Sequence, residues 1–380
     1  MAHPRVALVA AADPRVAARR QFDADVGEAS YATIDELCAD PRVDAVYIAS
    51  PHQFHAAHAI AAARRGRHVL CEKPMALTLA ECDAMIDAAA AAGVQLVVGH
   101  SHSFDAPIRR TRELIESGDY GRLRMITALN FTDFIYRPRR PEELDTTRGG
   151  GAVYNQAAHQ VDIVRLLAGS PVASVRASAA AWDGARRTEG AYAAFLGFDN
   201  GASATLTYSG YGHFDSDELC GWIGELGQRV DRARHGAAHD ALLSAASSDA
   251  ELALKASRNY GGAGFAMPPP VAHNHFGFIV ASCERADLRP LPNGVMVYDD
   301  RGERLDALPA PAVPRAEVID EWCDAIDGVR APLHDGAWGR ATLATCLAIL
   351  QSSRENREIV LQAPSHGGEL SRGSPERVRC

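Results

Sequence analysis

The strongest constraint on the fold is a regular succession of strands and helices over the first hundred residues. Short apolar runs at residues 6–10, 43–49, 68–71 and 94–99, with a brief extended stretch at Tyr31, read as strands. Between them, residues 16–22, 33–39, 55–65 and 78–92 carry helical patterns. Thr33 and Glu36 form a capping-box signature, and Gly66 and Gly93 stand where helices end. Repeated βα units of this length predict a parallel, doubly wound α/β sheet of Rossmann type. Ligands of such sheets sit at the carboxyl ends of the strands. The residues there are Asp13, then Ser50, Pro51 and His52, then Glu72, Lys73 and Pro74, and finally His100.

Asp13 is placed to accept hydrogen bonds from a ribose diol, which favours NAD over NADP. Arg15 and Arg19 stand close enough to weaken that preference, and the blander role for Asp13 is to cap the Pro14 helix start. An acidic residue of this kind follows a Gly-rich turn by about 20 residues in dinucleotide-binding folds. Only twelve residues precede Asp13, and none is glycine. The first visible strand is therefore expected to be the second of the fold, with the first strand and Gly-rich loop missing. Losing that central strand should open a gap with unpaired backbone groups on both sides. A misassigned start or a natural truncation of roughly 25 to 30 residues, one strand–loop–helix unit, is the expectation.

Chemistry in the chain concentrates on few residues. Only Lys73 and Lys255 are lysines among 39 basic residues. Arginine stays protonated, whereas lysine can give up a proton when its surroundings lower its pKa, so a surviving lysine draws attention as an acid–base group. The net charge of −9 argues against a nucleic-acid partner. No apolar run approaches the roughly 20 residues that cross a bilayer, and a cytoplasmic location is expected. The eight cysteines are scattered without a C-x-x-C pair, which suggests neither zinc nor a disulfide framework. His52, His55 and His58 recur every three residues, but no cysteine or carboxylate completes a ligand set. No metal is expected; His55 is read as lining the nicotinamide end and His58 as surface.

Residues 43–74, VDAVYIASPHQFHAAHAIAAARRGRHVLCEKP, and residues 149–162, GGGAVYNQAAHQVD, carry three motifs in order. They resemble the Gfo/Idh/MocA oxidoreductases, whose hallmarks are an A-T/S-P-x-x-x-H turn, an E-K-P tripeptide and a G-G-G-x-x-x-D-x-G-x-H-x-x-D segment. The resemblance runs from Val6 to about Leu361. It implies that Lys73 positions and deprotonates a substrate hydroxyl, that His159 is a general base or proton shuttle, and that the bond before Pro74 is cis. Asp162 should share a helical face with His159. The family's aspartate four residues before the histidine is Asn155 here, which cannot share a proton. That leaves Lys73 and His159 as the acid–base pair, with Asn155 orienting the substrate or the imidazole.

From about residue 104 the pattern changes. A helix over 108–117 precedes strands at 123–134, 172–182, 191–198, 202–208 and 295–298, with a hairpin turn at 199–201. A mostly antiparallel open sheet follows, which the resemblance implies is used to form a homodimer or homotetramer. Residues 227–264 read as a two-helix excursion over the substrate site, and 315–326 and 338–353 as terminal helices. The domains are thus 1–103 for NAD(P), 104–363 for substrate and oligomerisation, and a disordered tail from 364.

Four arginines, at 137, 139, 140 and 148, cluster just before the Gly149 turn, and His273, His275 and Phe276 form a second group. Arginine forks suit carboxylates, so Arg140, Arg148 and His275 are candidate substrate contacts; the alternative is a loop ion-paired to Glu142, Glu143 and Asp145. The segment PEELDTTRGGGAVYNQAAHQVDIVRLLAG, with HFG and CERADLRP downstream, is similar to the phthalate dihydrodiol or 4,5-dihydroxyphthalate dehydrogenase branch. The implied substrate is a small cis-dihydrodiol dicarboxylate. A sugar or polyol dehydrogenase is the alternative within enzymes, and a truncated non-catalytic relative the alternative outside them.

Overall fold

A computed structural model describes residues 3–361 apart from 100, 101, 246, 265–268, 312 and 314; the tail from 364 lies outside these. Its first layer follows the βα order β1 (Ala10–Ala12), α1 (Val16–Val26), β2 (Ala29–Tyr31), α2 (Ile34–Ala39), β3 (Ala45–Ile48), α3 (His55–Arg64), β4 (His68–Glu72), α4 (Leu79–Ala92) and β5 (Leu96–Gly99). Thr33 and Thr78 both close capping boxes, and Gly93 ends α4 in the left-handed conformation that a Cβ disfavours.

The parallel strands fall into two pieces. β1 pairs with β2, whereas β3, β4 and β5 form a separate ladder. Among the described residues no strand runs between β1 and β3. A common core still joins the pieces, because Val9, Ala10 and Tyr31 pack onto the cluster holding Leu37, Val43 and Val46. The first strand starts later than its apolar run suggests. Val6 and Leu8 are 39% and 62% exposed, and pairing begins only where β2 lies alongside. An apolar run without a neighbouring ladder has no partner for its backbone and stays irregular.

The second layer contains α5 (Ala106–Glu116), β6 (Leu123–Phe131), α6 (Ala158–Ala168), β7 (Val172–Ala180), β8 (Ala191–Phe198), β9 (Ser203–Ser209), α7 (Ala237–Leu243), α8 (Ser248–Ser257), β10 (Phe278–Cys283), β11 (Ala286–Leu291), β12 (Gly294–Asp299), β13 (Gly302–Ala307), α9 (Ala316–Ile326), α10 (Gly336–Glu355) and β14 (Ile359–Val360). The sheet runs β13-β12-β11-β10-β6-β9-β8-β7-β14, antiparallel except where β6 meets β9. One face buries Ile126, Leu196, Leu206, Ile279 and Leu288 in one core with α5 and α6, and every residue of α6 is buried. Each such leucine or isoleucine contributes about 1.5–3 kcal/mol by leaving water.

Strands β10, β11, β13 and β14 go beyond the five expected. Pro290 demotes the pattern of β11, and β13 is almost wholly exposed, so periodicity alone does not mark these two. The excursion over 227–264 does contain two short helices, α7 and α8.

The last helices return to the first layer. Val318 and Trp322 of α9 pack on Leu70 and Val97 of β4 and β5. Leu343 of α10 belongs to the core under the parallel strands, while Cys346, Ala348 and Ile349 belong to the core under the large sheet. Helix α10 is thereby shared by both layers.

Candidate active site

Lys73 leaves the end of β4 and reaches across the layers. Its Nζ donates to the backbone carbonyl of Asn155 at 2.7 Å. Asn155 lies in a π-turn, Val153–Ala157, that opens α6 one turn ahead of His159. The Lys73–Pro74 bond is cis, in line with the resemblance. Burial holds the Lys73 pKa below the ordinary lysine value, assisted by Arg315 and Arg139 and opposed by Glu72 and Glu225. Glu72 accepts a short hydrogen bond from the Tyr47 hydroxyl and a longer one, 3.3 Å, from the Lys73 backbone.

The glycines at 149–151 are demanded by packing. A Cβ on Gly149 would stand 2.3 Å from Leu77, one on Gly150 2.6 Å from the Glu143 carbonyl, and one on Gly151 2.2 Å from Glu189. Glu189, buried beneath this turn, accepts from Val153 N at 3.0 Å and is also held by Thr146 and Thr188. The Asn155 amide donates to Gly151 O at 2.8 Å, so its side chain supports the turn while its carbonyl meets the lysine.

His159 is 4% exposed and stands edge-on to His102, with ring centroids 4.7 Å apart. Phe276 packs against both rings. His102 is fully enclosed between two carboxylates, Nδ1 lying 2.9 Å from Asp105 and Nε2 3.3 Å from Glu225. Burial works against a charge on His102, but the two carboxylates raise its pKa. For Glu225 burial is likewise outweighed, here by His102, Arg137 and Lys73, which draw its carboxyl down to about 2. Glu225 is thus electrostatically joined to both Lys73 and His102.

Glu225 owes its position to a tight hairpin. Ile223 bridges to Arg229, and Gly224 N donates to Gln228 O at 2.7 Å. His275 pins this hairpin, its Nε2 lying 2.6 Å from Ile223 O and its backbone N–H donating to Glu225 O at 3.3 Å. Of the His273 to Phe276 group, Phe276 therefore walls the site, while His275 supports its acid.

Other expected residues take more varied places. His55 is wholly buried, with Nδ1 2.9 Å from Pro74 O and Nε2 2.8 Å from Ser50 O, and so ties two strand ends together instead of lining an open surface. His52 is half-buried beside the Gly149 backbone, and burial pushes its pKa down to about 3. Ser50 Oγ meets His58 Nδ1 at 3.0 Å, and Pro51 leads a single 3-10 turn over 52–54. Asp13 receives both the Nε and Nη2 of Arg15, and Arg19 reaches its carbonyl. The Arg140 guanidinium lies against Glu142 and Glu143, whereas Arg148 is exposed next to Gly149. Asp162 turns from the site to the Trp338 indole, and His100 lies outside the described residues.

The fold and this site define a two-layer nicotinamide-type dehydrogenase, a parallel-sheet domain presenting a lysine to a helix that carries a histidine. Comparison with known proteins agrees. A model described as an oxidoreductase family with an NAD-binding Rossmann fold matches residues 1–100, and one described as the GFO/IDH/MocA C-terminal domain matches residues 108–228. The chain belongs to the GFO/IDH/MocA oxidoreductases, NAD(P)-dependent enzymes that act on CH–OH groups.

The chain is 48% identical over 354 residues to 1-carboxy-3-chloro-3,4-dihydroxycyclohexa-1,5-diene dehydrogenase of Comamonas testosteroni, spanning 92% of this chain and 89% of that protein. A solved structure of a dehydrogenase from Bordetella bronchiseptica RB50 superposes with a TM-score of 0.88 at 42% identity, covering 94% of each chain. The WlbA dehydrogenase of Bordetella pertussis, solved with NADH and UDP-GlcNAcA, shares the fold at a TM-score of 0.64 and 24% identity, with 94% of this chain and 91% of that one covered. Among the described residues no helix is long and apolar enough to cross a membrane.

Proposed function

We propose that this chain oxidises one carbinol of a cis-dihydrodiol carboxylate, with NAD as the preferred acceptor. The observation that carries the reading is the Lys73 amine at the β4 end, held 2.7 Å from the carbonyl that opens the His159 helix. The strand ends suit the two ends of a nicotinamide dinucleotide. Asp13 offers a carboxylate at the β1 end for a ribose diol, and Lys73 and Pro74 offer a site for the nicotinamide beside Ser50, Pro51 and His52. When bound, the nicotinamide accepts the hydride.

Lys73 is suited to take the hydroxyl proton. A neutral amine keeps an N–H for Asn155 O and leaves its lone pair for the carbinol. His159 receives or relays that proton, and Glu72 anchors the lysine backbone. The carboxylated substrate follows from the Comamonas relative's own substrate name and from the arginines beside Gly149. Arg148 is the better placed of the two candidates, since Arg140 is taken by Glu142 and Glu143.

The exposed face of the large sheet, where Met125 and Phe195 are 45% and 48% exposed, suits a second copy of the chain. Steady-state NAD and NADP reduction with a panel of dihydrodiol carboxylates and polyols tests the whole reading. Turnover of dihydrodiols with NAD, weakened toward NADP preference in Asp13→Ser, is expected. Faster turnover of polyols would transfer the assignment to a sugar dehydrogenase.

A further inference from the structure

We propose that His102, His159 and Glu225 together bind one divalent cation of the zinc type. A nitrogen of each imidazole and an oxygen of the carboxylate lie within 4.8 Å of one another, and both rings are almost completely buried. Two imidazoles and one carboxylate are a donor set of catalytic zinc sites, which keep a fourth position for water or substrate. Magnesium and calcium want shells of oxygen donors, so the mixed set favours a transition-series ion.

The spacing agrees with such a site. Ligand atoms about 2.1 Å from a tetrahedral ion stand about 3.4 Å apart. His102 Nε2 and Glu225 Oε1 are separated by 3.3 Å. No two ligand atoms of the trio are more than 4.8 Å apart, at most about 1.4 Å beyond the tetrahedral value, a closure within reach of side-chain rotation.

The surroundings add an independent argument. Asp105 lies 2.9 Å from His102 Nδ1. A carboxylate there takes the Nδ1–H and turns the Nε2 lone pair toward Glu225, the arrangement that orients metal-bound histidines. Phe276 closes the side of both rings, and His275 fixes the hairpin that delivers Glu225. The ligands come from three segments far apart in the chain, so spacing along the sequence could not reveal them. This departs from the expectation of no metal.

With the cation in place His159 would be held as a ligand instead of relaying the proton, Lys73 would take the carbinol proton alone, and the open position would receive a hydroxyl of the diol. That last step rests on the function proposed above; the site itself does not.

The test uses the full chain, stripped with a chelator and titrated with zinc chloride by calorimetry, with metal content measured after dialysis. One zinc per chain is expected. Glu225→Gln and His102→Ala should weaken binding at least tenfold, and Asp105→Asn about 10- to 100-fold by releasing His102. Cobalt substitution of the unmutated protein supplies a readout that needs no variant, because a tetrahedral site gives intense visible absorption. Absence of stoichiometric binding, or equal affinity in Glu225→Gln with native circular dichroism, overturns the site. Dihydrodiol oxidation by protein that binds no zinc would remove the metal and spare the function. Zinc binding without oxidation of any dihydrodiol would do the reverse.

Discussion

Lys73 Nζ and the Asn155 carbonyl oxygen, 2.7 Å apart, join the parallel sheet to the start of the helix carrying His159. The side chain of Asn155 takes no part in this contact. Replacing the family's aspartate by asparagine thus leaves the lysine oriented by backbone, which a side-chain substitution at 155 does not remove.

Removing the amine tests its role directly. Lys73→Ala should lower kcat for carbinol oxidation by about 10²–10⁴, the usual contribution of a positioned base. Thermal unfolding should change little beyond the loss of one hydrogen bond. Stopped-flow and steady-state NADH formation give the comparison, and unchanged turnover would take Lys73 out of the chemistry.

The lowered pKa of Lys73 sets a pH dependence. A base acts when neutral, so kcat/KM for oxidation should rise with pH and level off above the pKa of Lys73. Burial depresses that pKa, which places the plateau below the ordinary lysine value of about 10.4. Reduction of the corresponding ketone needs the protonated amine and should fall along the same limb. Lys73→Arg, which stays charged, should abolish the limb in both directions.

Arg148 and Arg140 allow the proposed substrate contact to be separated from a structural one. Arg148→Gln should raise KM for a carboxylated dihydrodiol about 10- to 100-fold, the worth of one charge-assisted hydrogen bond, and leave an uncharged diol unaffected. Arg140→Gln removes ion pairs to Glu142 and Glu143 and should act mainly on thermal stability. Equal KM for Arg148→Gln and the parent would end the carboxylate assignment.

Gly151→Ala should be among the costlier small substitutions. The new methyl would meet the Glu189 carboxylate at 2.2 Å and the Thr188 hydroxyl at 2.4 Å, on a backbone at φ +85°. Overpacking of this sort costs about 1–3 kcal/mol, with the positive φ adding to it. Denaturant unfolding should show the loss, and kcat should drop as well because the turn leads into Asn155.

Phe195→Glu puts a charge on the exposed sheet face. If that face joins two copies, light scattering should show a monomer for the variant and a larger species for the parent. Identical masses would place the oligomer contact elsewhere.

Much of the first layer was legible because its periodicity is local: capping threonines and terminal glycines mark helices whatever the tertiary context. Lys73 and His159 were legible through short contiguous motifs. Glu225 and His102, in contrast, are 123 positions apart and meet only through the hairpin that His275 pins. Strands β10, β11 and β13 escaped because a ladder of short hairpins is recognised by its pairing partners, and these are fixed by the sheet as a whole. The late start of β1 has the same origin, since Val6 and Leu8 are as apolar as any strand but have no neighbouring strand among the described residues.

Helix α10 places Leu343 under the parallel strands and Ile349 under the large sheet. The parallel strands and the large sheet are therefore braced by one continuous rod, and neither can melt without exposing apolar surface of the other. Heating should produce a single cooperative transition, with the two sheets losing their order together.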